Sequence, residues 1–199
     1  MRELTLRQRL QHETAAAHER LEKQLGLLDP GLDMRRYLGV LQTFYGFYVP
    51  VEVALTRVAA ATPPLGFSLR SRAELIERDL VALGLQAADV AALPRCADVP
   101  LLSCLEDLAG CLYVLEGACL GGRFLTPLLH ERLGIAKDSG ASFFAGDEER
   151  TLVRWGVVLA WLGRLPNEGA STPKIVAAAQ ATFEGLAQWA KRGGERWSI

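Results

Sequence analysis

Apolar and polar residues alternate along this chain with a helical period almost throughout. Leu10, Thr14, His18, Leu21 and Leu25 fall at i, i+4, i+8, i+11 and i+15, so a helix over Glu3 to Leu25 carries them as one stripe, with His18 facing the interior and His12 well round the cylinder. The segment Gly26-Leu27-Leu28-Asp29-Pro30-Gly31 breaks that helix. Asp33 is a fitting N-cap for a second one, Met34 to about Ala61, in which Pro50 predicts a kink. A third helix starts near Ser71, with Glu74 placed as in a capping box. A short helix over Ala87 to Leu93 and a long apolar one over about Leu101 to Leu133 come next. Gly134 to Gly146 reads as a loop, and Asp147 to Leu165 and Thr172 to about Arg192 as the last two helices. Strand-type alternation, internal repeats and shifts of composition are absent, so residues 1–199 read as a single all-α domain.

The long helix is unusual inside. Tyr113 to Phe124 holds Gly117, Gly121 and Gly122, and each interior glycine costs about 1 kcal/mol of helix stability relative to alanine. Tyr113, Gly117 and Gly121 share a face, Gly110 lies seven residues before Gly117, and Gly122 sits beside the strip. A surface without Cβ atoms admits either a closely packed second helix or a flat ligand. Taken alone, His18 has the position of a hydrogen-bonded core histidine or of a ligand. Taken together, a histidine on one helix and a glycine strip on another fit the two sides of a disc. A metalloporphyrin, with imidazole as one axial ligand, is such a disc.

Composition narrows the classes. The chain has 199 residues and a formal net charge of −1, and it lacks the concentrated basic face of a nucleic-acid binder. Glu106, Asp107, Glu116 and Arg123 interrupt the apolar runs, which argues against a membrane span. The segment Met1-Arg2-Glu3-Leu4-Thr5-Leu6-Arg7 has no apolar signal core, so a soluble cytoplasmic protein is expected. Cys96, Cys104, Cys111 and Cys119 form no C-x-x-C pair and read as reduced core thiols. His130, near a helix end, reads as a surface or half-buried residue.

Three segments resemble the haem oxygenases, and most closely the bacterial biliverdin-forming branch associated with bacteriophytochromes. Leu10 to Glu22 contains Thr14-x-x-x-His18; Tyr113 to Gly122 contains G-x-x-x-G-G; Ser142-Phe143-Phe144-Ala145-Gly146, with Thr151 and Trp155, is the weakest of the three. The resemblance implies a multihelical bundle with a kinked distal helix and His18 as the proximal ligand of haem iron. It places Thr14, Tyr113, Gly117, Gly121 and Arg123 around the haem, and Gly117, Ala118, Gly121 and Gly122 at the distal, catalytic side. Haem would be both substrate and cofactor, consumed with O2 and electrons from an external donor such as a ferredoxin or a reductase. The products would be biliverdin, CO and ferrous iron, with a bacteriophytochrome as one possible acceptor.

Two positions depart from the family pattern. Many members carry an aspartate after the first distal glycine, where it organises proton-delivering water; here it is Ala118, with Glu116 nearby as a conceivable substitute. Where the family has basic residues for the haem propionates, this chain has Gln11 and Gln180 or Glu184, leaving Arg7, Arg123, Lys174, Lys191 and Arg192 as alternative cations. Ala118 also motivates a second expectation, a haem carrier or sensor on the same fold.

Overall fold

A capping box starts the first helix. In the computed structural model, which describes residues 4–146 and 148–197, Gln8 N donates to the Thr5 hydroxyl at 3.3 Å and Thr5 N donates to Gln8 Oε1 at 2.9 Å. Helix α1 therefore spans Leu6–Leu25; Glu3, where the pattern put its start, lies outside the described residues. Gly26, left-handed at φ 62°, ends it. Asp33 caps α2 (Met34–Ala60) as expected, accepting from Arg36 N at 2.8 Å, and Pro50 lies inside that helix.

Helix α3 (Ala73–Ala82) is capped by a more distant acid than Glu74. Glu74 N does donate to the Ser71 hydroxyl at 3.2 Å. The reciprocal carboxylate, however, is Glu52 of α2, which accepts from the Ser71 hydroxyl and from the Arg72 and Ala73 amides at 2.8, 2.7 and 3.0 Å. Packing of α2 on α3 delivers this carboxylate, and burial raises its pKa.

Helices α4 (Ala87–Ala92) and α5 (Leu105–Leu133) follow, and α5 runs unbroken through all three glycines. The segment read as a loop over 134–146 instead holds a 3₁₀ turn at Lys137–Ser139 and a four-residue helix, α6 (Ser142–Ala145). Tertiary contacts fix α6. Phe143 and Phe144 are buried against Phe44, with Tyr37 and Tyr48 beside them. The buried Asp79 carboxylate accepts from Ser142 N and Phe143 N at 2.7 Å each. A segment this short carries no period for a sequence pattern to register. Helices α7 (Glu148–Arg164) and α8 (Thr172–Trp197) complete the bundle; Asp147, the expected start of α7, lies outside the described residues.

Helix α8 is the spine, packing against α1, α2 and α5. Gln24 Nε2 of α1 donates to Ala187 O at 2.8 Å, Gln180 Nε2 returns a bond to Glu13 O at 3.0 Å, and Trp189 Nε1 donates to Thr43 O of α2 at 2.8 Å. Gly110 brings α5 onto α8: a Cβ there would stand 2.4 Å from Ile175 O. Gly122 does the same for α6, where a Cβ would stand 1.7 Å from Phe144 O. By length and composition α2 and α5 could each cross a membrane, but 61% and 53% of their most apolar windows are buried in the bundle. Core helices pass the same test. Among the described residues there is no strand.

The glycines of α5 should therefore respond differently to a methyl group. Gly110→Ala and Gly122→Ala, which meet backbone, should each lower stability by about 1–3 kcal/mol in urea unfolding. Gly121→Ala, with no atom within 4 Å of the new Cβ, should leave stability unchanged or raise it by up to about 1 kcal/mol. Equal losses at all three would contradict this division.

Candidate functional site

His18 is the exposed member of an otherwise buried stripe. Leu10, Thr14, Leu21 and Leu25 are 9% exposed or less, whereas the His18 side chain is 54% exposed, which corrects the expectation that it faces the interior. The reason is the arrangement of α1 and α5. Both pack on α8 but make little direct contact with one another, and the stripe is exposed at His18. The imidazole stands edge-on to Phe183 of α8, with centroids 5.7 Å apart. Its Nδ1 lies 3.5 Å from Glu22 Oε2, one turn further on. A carboxylate at Nδ1 orients the ring and leaves Nε2 for a ligand, the usual arrangement of a metal-binding histidine. Glu22 was not singled out from the sequence, although its i+4 spacing from His18 was a readable signal.

The α5 glycines divide into two sets. Gly110 and Gly122 are filled by neighbouring backbone. Gly117 meets only the Trp155 ring, at 3.5 Å from an added Cβ, and Gly121 meets nothing within 4 Å. Ala118 and Gly121 are exposed and Gly117 half-buried. The open strip is thus Gly117, Ala118 and Gly121, while Gly122 faces α6. Tyr113 stands at one end of the strip, its ring 5.7 Å from that of Trp155. The Thr14 side chain lies beside the Tyr113 hydroxyl, and burial raises the Tyr113 pKa. Thr14 is buried and donates its own hydroxyl to Leu10 O at 2.7 Å.

The charged residues named from the sequence have separate surroundings. Arg7 acts on the Tyr113 hydroxyl through its charge. Arg123 and Lys191 are exposed. Lys174 sits by Glu106, and Arg192 is bound to Asp98 at 2.8 Å. Gln11 and Glu184 are exposed, and Gln180 is tied to α1 as described above. The Glu116 carboxylate is engaged by Arg154 of α7, whose Nε reaches its two oxygens at 2.9 and 3.0 Å. Two cavities, of about 110 and 320 Å³, lie on the Glu116 side of α5 among residues of α2, α3 and α7.

Cys96 and Cys111 are buried, and burial pushes the Cys111 thiol up to about 12, consistent with inert core thiols. Cys104 is half-buried, and the Cys119 side chain lies outside the described residues. His12 and His130 are exposed. Among the described residues no group of three His, Cys, Asp or Glu side chains could hold a metal ion. A metal at His18 must therefore bring most of its own ligands, as a porphyrin iron does.

The family model described as heme oxygenase matches residues 4–192. The fold is similar to the crystal structures of the NO- and CO-bound heme oxygenase from Neisseria meningitidis, at TM-score 0.71 and 23% identity, covering 99% of this chain and 94% of that one. It is also similar to the heme oxygenase from Leptospira interrogans, at TM-score 0.72 and 19% identity, covering 95% of this chain and 100% of that one. No curated protein sequence matches the chain. With nearly its whole length matched by the family model, the chain belongs to the heme oxygenase family.

Proposed function

We propose that this protein is a cytoplasmic haem oxygenase that cleaves haem with O2 and electrons from an external donor, releasing biliverdin, CO and ferrous iron. The observation that carries this reading is the pairing of His18, held by Glu22 and exposed in a buried stripe, with an open strip of backbone at Gly117, Ala118 and Gly121. These residues fit a porphyrin. The aromatic edges of Tyr113, Trp155 and Phe183 border the cleft, and a flat ring needs just such a Cβ-poor wall.

When bound, haem supplies both the ring that is cleaved and the iron at which O2 is reduced. The chain does the rest. His18 would hold the iron, supplying an imidazole donor without the electron push of a thiolate, with the Glu22 carboxylate 3.5 Å from its Nδ1. Gly117, Ala118 and Gly121 bring backbone close to the distal side and keep bulky side chains out. Tyr113 and Thr14 fix the end of the cleft, and Arg7 lends a positive charge there that suits a carboxylate on the ring edge. Ala118 offers no acid group, and Glu116 is committed to Arg154, so protons must reach the distal side through water held by backbone and hydroxyls.

Haemin added to purified protein should give a Soret band that saturates at one equivalent, and a reductant in air should convert it to a biliverdin spectrum. His18→Ala should abolish turnover and weaken haemin binding. Glu22→Gln should keep binding but weaken it about tenfold, the order found when a partner of a metal-ligating histidine is removed. A stable Soret band without ring cleavage would favour a carrier or sensor. No Soret band at all would remove every haem-based reading.

A further inference from the structure

Helices α5 and α7 are joined by two adjacent contacts that use consecutive residues on each side. Glu116 binds Arg154, and Gly117 faces Trp155. Both members of the ion pair are withdrawn from water, with side chains 9% and 13% exposed. The guanidinium reaches both carboxylate oxygens through Nε, adds a short bond from its second nitrogen to Oε1, and lies 5.5 Å from the Phe67 ring, which in turn stands edge-on to Trp161 of α7. Such a pair is geometrically demanding. A bidentate guanidinium fixes direction as well as distance. Leu152, Val153 and Val157 of α7 face solvent, while Val158, Trp161 and Leu162 are buried. The bidentate pair joins the first half of α7 to α5, and Arg154 immediately precedes Trp155, whose ring stands beside Gly117.

We propose that Glu116 and Arg154 form a positioning pair that holds the Trp155 ring against Gly117 and Tyr113, and so sets the width and tilt of the cleft wall that a flat ring must meet. The part concerning haem rests on the function proposed above; the part concerning Trp155 does not. The pair itself touches no substrate. Its carboxylate is a strut between helices, and this is also why Glu116 does not replace the missing acid at position 118.

The test uses Glu116→Gln, Arg154→Gln, the charge swap Glu116→Arg with Arg154→Glu, and the apolar pair Glu116→Met with Arg154→Met. In the haem-free proteins, amide exchange over residues 150–157 should quicken in both single variants and return toward the wild-type rate in the swap. With haemin, the singles should bind about tenfold more weakly, about 1.4 kcal/mol, and should change the ratio of biliverdin isomers released. Breaking a buried pair can unfold a protein, whereas apolar replacement of both partners is often tolerated. The apolar pair should therefore keep its thermal midpoint yet show the same fast exchange and altered isomer ratio. Wild-type exchange and isomer ratio in a folded apolar pair would overturn the proposal, as would a swap that folds but fails to restore either. If the wild type takes up no haemin, the functional reading fails, and the exchange rates alone decide the role of the pair.

Discussion

The structure depends on how closely α5 can approach its neighbours. At Gly110 it meets the backbone of α8 and at Gly122 the backbone of α6, at distances no side chain would permit. These two contacts pin the helix at points twelve residues apart, with the Glu116–Arg154 pair as a third attachment between them. What remains free is the short strip from Gly117 to Gly121. Glycine lowers helix propensity at all these positions, by about 1 kcal/mol each. Close packing offsets that cost at Gly110 and Gly122, whereas at Gly121 no described neighbouring atom lies within 4 Å of an added Cβ.

The same logic explains the exposure of His18. Helix α8 packs against both α1 and α5, which make little direct contact with each other, and the α1 stripe is exposed at the histidine. The imidazole stands edge-on to Phe183, with Glu22 Oε2 3.5 Å from its Nδ1.

Much of this was legible in the sequence, and the exceptions have a common cause. The period of apolar residues located the long helices, and Asp33 and Gly26 marked two of their ends. Misreadings arose where a contact distant in sequence decided the local outcome. Glu52 caps α3 in place of Glu74. Asp79, Arg72 and the aromatic cluster of α2 turn part of an apparent loop into α6, Arg72 donating to Phe143 O at 2.6 Å. Periodicity placed His18 on the buried side because it assumes every residue of a stripe has a neighbour opposite, and at His18 that assumption fails. The three distal glycines looked alike in sequence, and only their surroundings separate Gly122, which serves packing, from Gly117 and Gly121.

The central claim is that His18, through Nε2, is the protein's axial ligand for haem iron across an open glycine wall. Resonance Raman spectra of the ferrous haem-loaded protein test it most directly. An iron–imidazole stretching band should be present in the wild type, absent in His18→Ala, and regained when free imidazole is added to that variant. An unchanged band in His18→Ala without added imidazole would contradict the account.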